Sequence, residues 1–232
     1  MAMKIFIDAG HNDSKFDTGA IGNGLREQDI TFAISTLLAE RLKDVGVDVK
    51  LSREKKDSII GYDFNSSLAQ RTEMANVWGA DLFISIHCNS FVNARISGTE
   101  AYTYSDTTDV YKLSRNICNA ISQNLKLVNR GAKISNFAVL KKTAMPAILI
   151  ETAFISNAED ANKLTNKQEK FAETIFAELA DFYNLKGGDF EAAVNILSAK
   201  GIIGEPQKWK SKEWDAEDVA WLIKKTAQRI GG

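Results

Sequence analysis

The chain carries two histidines, and each follows a short apolar run. Lys4-Ile5-Phe6-Ile7-Asp8-Ala9-Gly10 leads into His11, and Asp81-Leu82-Phe83-Ile84-Ser85-Ile86 leads into His87. A third run, Pro146-Ala147-Ile148-Leu149-Ile150, stops at Glu151. A neutral imidazole is a metal ligand, and a carboxylate can share the metal or move a proton beside it. If these runs are strands of one open, mostly parallel sheet, their carboxyl ends form the rim where ligands and reacting groups collect. Two imidazoles and a carboxylate at one rim are the ingredients of a metal site with an attendant acid or base.

Catalytic zinc commonly keeps three protein ligands and one open position, and two histidines with one glutamate is an established set. Several carboxylates compete for the third place. Glu27 opens a helical pattern directly after the Gly-rich loop that leaves His11, so a short loop could fold it over the rim. The helix dipole alone equally favours an acid there. Asp8 and Asp29 are rivals, although Asp8 lies inside the strand, two positions short of Gly10. Glu151 follows five residues with no other ionisable group, where an unpaired charge is costly without compensation. Capping a helix or pairing with a lysine is its ordinary alternative.

Other residues carry weaker signals. Asn89, two positions beyond His87, is a candidate substrate contact or a turn former. Arg71, on a helix among apolar neighbours, either grips a substrate carboxylate or makes a structural ion pair, and Arg53 is similar. Cys88 beside His87 invites a thiol-nucleophile reading, yet adjacent strand residues point to opposite faces, so its thiol should face away from the rim. Cys118 sits in a helical pattern and reads as a buried side chain. Two cysteines make no disulfide framework.

The elements that must position these groups follow from periodicity. Strand 4–8 precedes a loop containing Gly10, Gly19, Gly22 and Gly24; then Ile30, Ile34, Leu37, Leu38, Leu42 and Val45 recur at helical spacing, and Gly46 is a stop signal. Val47, Val49 and Leu51 alternate as a strand, Leu68, Ala75 and Trp78 fit a helix, and strand 81–87 follows. A strand near 99–104, a helix near 108–125 and strand 146–151 come next. Ser156 with Glu159 and Thr165 with Gln168 match the capping box, and Phe171, Ile175, Leu179 and Phe182 stripe a last long helix. Strands alternating with helices predict an α/β fold, a twisted, mostly parallel sheet with helices on both faces.

Gly187-Gly188 breaks that pattern, so residues 1–186 read as one domain and 187–232 as a separate small helical module. Asp189 and Asp215 can cap its helices, and Trp214 is placed to staple against Val219. Three of the chain's tryptophans, Trp209, Trp214 and Trp221, sit there. A domain this small needs large aromatics in its core, which suits Trp214 and Trp221. Trp209, in the polar stretch Pro206–Lys212, is the candidate for stacking on sugar rings.

The 232 residues suffice for one large domain or one with a small companion, at 44% hydrophobic and 25% charged content. A net charge of −1 argues against nucleic acid as a partner, since phosphate contacts need clustered cations. No apolar run approaches the roughly 20 residues that span a bilayer, so no membrane insertion is expected. Met1-Ala2-Met3 leads straight into a strand, with no secretory signal pattern. The expectation is synthesis in the cytoplasm.

Together, Asp8-Ala9-Gly10-His11, Glu27, Ser85-Ile86-His87-Cys88-Asn89 and Ile150-Glu151-Thr152-Ala153-Phe154-Ile155-Ser156-Asn157 resemble the zinc-dependent N-acetylmuramoyl-L-alanine amidases of bacterial and phage cell-wall lysis. Arg71, Ala75-Asn76, Ala80-Asp81, Arg130-Gly131-Ala132 and Val139-Leu140 fall in that family's order, and the resemblance covers roughly residues 3–183. It implies that His11, Glu27 and His87 hold zinc, that Glu151 is the catalytic acid/base, and that peptidoglycan is cut between N-acetylmuramic acid and L-alanine. It departs from the family at Asn12-Asp13, where glycines are usual, and at Cys88 and Ala153, where Ala and Gly are common. These touch loop shape and substrate fit. The rivals are another zinc peptidoglycan hydrolase (a peptidase or deacetylase), a non-catalytic wall-binding protein, and a cysteine hydrolase using Cys88. The tail is loosely similar to wall-targeting appendages of lysins. The resemblance, with no signal pattern, implies an endolysin released by a separate membrane-permeabilising protein (a holin), or an autolysin freed by mother-cell lysis.

Overall fold

The central strand-like runs pair edge to edge because they are apolar enough to be buried on both sides. In chain order the strands are β1 (Lys4–Ala9), β2 (Ile21–Gly22), β3 (Leu25–Arg26), β4 (Asp48–Leu51), β5 (Leu82–Asn89), β6 (Thr99–Thr103), β7 (Asn129–Ile134) and β8 (Ala147–Phe154). The helices are α1 (Glu27–Asp44), α2 (Phe64–Trp78), α3 (Asp109–Leu125), α4 (Ala138–Lys141), α5 (Ala158–Asn166) and α6 (Gln168–Phe182). This computed structural model describes residues 2–185, 194, 197–211 and 215–230. Six strands form one sheet in the order β4-β1-β5-β8-β6-β7, and β2-β3 form a small hairpin. All neighbours in the large sheet run parallel except β6 and β8. The expected α/β class, mostly parallel with helices on both faces, is what the molecule has.

Side-chain alternation divides the sheet into two unlike faces. Ile5, Ile7, Ile84, Ile86, Ile148 and Ile150 point to one side and pack with Ile34 and Leu38 of α1, Ile117 and Ile121 of α3, and Phe171 and Ile175 of α6. Phe6, Phe83 and Leu149 point to the other, against Ala75 of α2 and Val139 and Leu140 of α4. Phe6 and Phe83 stack there with centroids 5.7 Å apart.

Local signals explain the helix limits, with two corrections. Asp63 and Ser66 form the capping box of α2, and Gly79 ends it in the left-handed region at φ 68°. The expected cap at Ser156 is instead Asn157, whose side chain accepts from the amides of Glu159 and Asp160. The expected cap at Thr165 is absent: its hydroxyl bonds Ala161 O within α5, and α6 begins after Lys167 with no side-chain cap.

The chain divides into two compact units, Met1–Leu185 and Lys186–Gly232. In the second, Val194, Ile202, Ile203 and Trp209 form a core against Leu197 and Leu222. Trp209, expected as a surface contact, is therefore buried, at 6% exposure. Pro206 starts a short helix, Pro206–Lys210, which turns that tryptophan inward from an otherwise polar stretch. Trp221, expected in the core, is 44% exposed on helix Ala216–Ile230. Asp189, Trp214 and the Gly187-Gly188 break lie outside the described residues. Among the described residues no helix is long and apolar enough to cross a membrane.

Candidate active site

β1 is followed by β4 on one side, and the chain then returns as β5 on the other side of β1. Strand order thus reverses between β1 and β5, and the crevice at their carboxyl ends is where an open α/β sheet binds ligands. His11 leaves the end of β1 in the left-handed region at φ 62°, and His87 lies near the end of β5. The two rings meet edge to face, centroids 4.8 Å apart. The β2-β3 hairpin turns the chain back so that Glu27, the first residue of α1, reaches the same spot.

One ligand atom each from His11, Glu27 and His87 lie within 4.8 Å of one another. Glu27 Oε1 is 3.3 Å from His11 Nε2 and 3.1 Å from His87 Nδ1. Ligands about 2 Å from a tetrahedral ion are roughly 3.3 Å apart, so this nitrogen–nitrogen–oxygen set fits a divalent metal. Two glycines make room. A Cβ on Gly10 would stand 2.5 Å from His87 Nε2, and one on Gly19, at φ +70°, would stand 2.6 Å from His11 Cδ2 and 2.8 Å from Glu27 Oε2.

The groups behind these three fix their orientation and charge. Glu27 accepts amide hydrogens from Cys88 (2.9 Å, Oε1) and Ala20 (2.8 Å, Oε2). Burial raises its pKa, but hydrogen bonds and charge from both histidines outweigh that and hold it well below the usual carboxylate range. His11 Nδ1 donates to Asp17 Oδ1 at 2.7 Å, leaving Nε2 for the centre. Burial lowers the His11 pKa, but the bonds to Asp17 and Glu27 prevail and raise it to about 9. Asp17 is itself held by Ser67 Oγ (2.6 Å) and Asn12 Nδ2 (3.1 Å).

Glu151 faces His87 across the β5–β8 ladder. Its Oε2 is buried and has no hydrogen-bond partner among the described residues. Burial, with the charges of Glu27 and Glu100, pushes its pKa well above the ordinary value. A carboxyl group with one oxygen unpaired among the described residues and a raised pKa has the chemistry to take up and release a proton near neutral pH. It lines a cleft of about 410 Å³ together with His11, His87, Phe64, Leu68 and Phe137.

Arg71, offered as a grip for a substrate carboxylate, is 1% exposed and fully engaged by the protein. Nη1 bonds Asp8 Oδ1 (2.5 Å) and Ala9 O (2.8 Å), while Nη2 bonds His11 O (2.7 Å). It positions the end of β1. Arg53 braces the same turn from the other side through Gln28 O at 2.8 Å and Gly10 O at 3.4 Å. Asn89 donates to Glu100 Oε1 at 2.6 Å and accepts from Ser90, so its contacts are made within the protein. Of the rival ligands, Asp8 pairs with Arg71 and Ser85, and Asp29 faces Lys56 at 3.4 Å. Cys88 is buried on the helix-covered face, its thiol 3.5 Å from Thr152, and burial pushes its pKa up.

Sequence reasoning missed Asp17 and Glu100. Asp17 had a faint signal, an acid in the Gly-rich loop six residues after His11. Glu100 had a fainter one, the alternation of Glu100 and Tyr102 in a strand whose other members are small.

Comparison with known proteins places the first unit among known relatives. The sporulation-specific N-acetylmuramoyl-L-alanine amidase of Bacillus subtilis (strain 168) is 40% identical over 178 residues, 75% of this chain and 64% of that protein. The chain thus spans just under two thirds of that relative. The endolysin of Bacillus phage SPP1 is 34% identical over 200 residues, covering 80% of this chain and 68% of the endolysin. The solved N-acetylmuramoyl-L-alanine amidase AmiC2 of Nostoc punctiforme superposes with a TM-score of 0.70 at 33% identity, over 78% of this chain and 97% of that one. The Amidase_3 family, described as N-acetylmuramoyl-L-alanine amidase, matches residues 5–181. This chain belongs to that amidase family.

Proposed function

We propose that this protein is a zinc-dependent amidase that cuts peptidoglycan between the lactyl group of N-acetylmuramic acid and L-alanine. His11, Glu27 and His87 hold the zinc, and Glu151 is the acid/base. The observation that carries this reading is the convergence of three ligand atoms within 4.8 Å, beside a buried carboxyl oxygen with no partner among the described residues. Two nitrogens and one carboxylate oxygen with an open fourth position is the donor set of catalytic zinc.

At these three ligands a zinc ion would supply Lewis acidity, polarising the scissile carbonyl and lowering the pKa of an attacking water toward about 7. The chain's own residues do the rest. Asp17 fixes the His11 tautomer, so that Nε2 and not Nδ1 faces the centre. Glu151 takes a proton from the attacking water on its free Oε2, then delivers it to the alanine nitrogen as the C–N bond breaks. An amine leaves poorly unless protonated, so one carboxyl serves both halves without a covalent intermediate. The high proton affinity of Glu151 suits the second half; a cation held by Glu27 would offset the Glu27 charge that contributes to it, which favours the first.

Residues 1–186 are the catalytic part in this reading, and 187–232 a wall-binding unit. Its contact surface is better assigned to the exposed Trp221 than to Trp209, which sits in the core. Trp221 borders an open depression of about 750 Å³ with Lys208, Asp215 and Glu217. The work of the whole is lysis of the cell wall.

The test is mass analysis of fragments released from purified peptidoglycan, with and without a chelator. The reading expects free L-alanine amino termini and intact muramic acid, abolished by chelation and restored by zinc. Cleavage within the peptide, release of acetate, or full activity in chelator would overturn it.

A further inference from the structure

The reactive face of the sheet continues beyond Glu151 as a row of polar side chains. Glu151 of β8 pairs with Glu100 of β6; Tyr102, two residues on, pairs with Leu149 on one side and Lys133 of β7 on the other. Alternation puts Glu151, Glu100, Tyr102 and Lys133 on the face that bears His87. Glu100 is 3% exposed, and both its oxygens are filled. Oε1 accepts from Asn89 Nδ2 and Tyr102 Oη, each at 2.6 Å; Oε2 accepts from Arg130 Nε at 3.0 Å and Lys133 Nζ at 2.5 Å. One carboxylate thus anchors two cations, and positive charge is left over.

Both cations keep an open side. The Lys133 side chain is 40% exposed and that of Arg130 33%. Arg130 lies over the Phe154 ring and bonds Glu100 through Nε, while its Nη groups make no hydrogen bond among the described residues. Among the described residues that line the cleft, no lysine and no second arginine competes. Its arginine, Arg71, is engaged by Asp8 and Asp17, and its walls at Phe64, Leu68, Phe137 and Val139 are uncharged.

We propose that Lys133 and Arg130, braced by Glu100, bind the free carboxylate of the acidic residue that follows L-alanine in the stem peptide. The pair thereby fixes which way round the substrate lies across Glu151. The inference rests on the amidase reading, because that cleavage leaves the acidic residue one position beyond the broken bond. Cross-strand neighbours stand roughly 5 Å apart, and an extended residue spans at most about 3.6 Å. A carboxylate one residue past a nitrogen at Glu151 therefore comes within reach of cations gathered on Glu100.

The test uses the full chain loaded with zinc and two soluble muropeptides that differ only at that group: free D-glutamate carboxylate, or its carboxamide. Wild-type protein should favour the carboxylate about tenfold in kcat/KM, as a charge-assisted contact predicts. Lys133→Ala and Arg130→Ala should each lose that preference mainly through KM, and Lys133→Arg should keep it. Equal losses on both substrates would mean that the cations only support Glu100, and would overturn the inference. So would a wild-type protein that cuts both alike, with the amidase reading left intact. Failure to cut either substrate would instead overturn the amidase reading and this inference with it.

Discussion

The two faces of the central sheet follow the same alternation and end up with opposite properties. The face under α1, α3 and α6 carries isoleucines along β1, β5 and β8, all at 0% exposure. The face under α2 and the one-turn α4 begins with Phe6 and Phe83 and then turns polar along the same strands, through Asp8, Ser85, His87 and Glu151. Three long helices seal the first face. On the second, a short helix leaves the carboxyl ends open as a cleft. Catalytic chemistry needs groups that are held, partly dry and still reachable, and only the incompletely covered face supplies all three.

If that division is right, damage to each face should read out differently. Arg71→Ala removes one partner of a buried pair and leaves Asp8 uncompensated, so it should cost about 3–5 kcal/mol. Because Arg71 also holds Ala9 O and His11 O, zinc binding should weaken as well, which denaturant unfolding and zinc titration together would reveal. Ile84→Ala, on the sealed face, should cost about 2–5 kcal/mol through a cavity. It should leave zinc affinity unchanged, and a loss comparable to that of Arg71→Ala would blur the distinction.

Finer effects concern the groups behind the proposed metal ligands. Asp17→Asn keeps the shape but weakens the hold on His11 Nδ1 and turns an amide donor toward the donors that Asp17 now accepts from, so it should lower zinc affinity about 10- to 100-fold and also cost stability. A further effect is a pH dependence in metal-stripped protein. His11 has a folded pKa of about 9, above its ordinary 6.5. Its stabilising contribution is therefore complete below pH 6.5 and is lost as pH rises through 9. Melting temperature should fall across that window, and His11→Gln should remove that part of the slope.

The strand ends were legible because burial on both faces writes a continuous apolar run, and the first polar residue after it marks the rim. Glu151 announces itself that way, and His11 and His87 do so past a single polar interruption, Asp8 and Ser85. Glu27 does not: position alone left it beside Asp8 and Asp29, since the hairpin that returns it has strands of two residues each. β7 was missed because Asn129-Arg130-Gly131-Ala132-Lys133-Ile134 is an edge strand with no apolar periodicity. Asp17 and Glu100 matter through partners such as Ser67 and Arg130, far away in sequence, and no local pattern encodes such pairings. Trp209 was misread for a related reason. Its polar neighbours resemble a loop, yet one helical turn after Pro206 is enough to aim the ring inward.

The central claim is that one face gathers a zinc-binding trio and keeps Glu151 apart from it as the proton carrier. Glu151→Gln separates the two roles most directly, with bound zinc and amide hydrolysis measured on the same purified sample. The expected result is wild-type zinc content, one ion per chain, with turnover reduced about 10²- to 10⁴-fold. Turnover near the wild-type rate would contradict the account, and so would loss of the zinc.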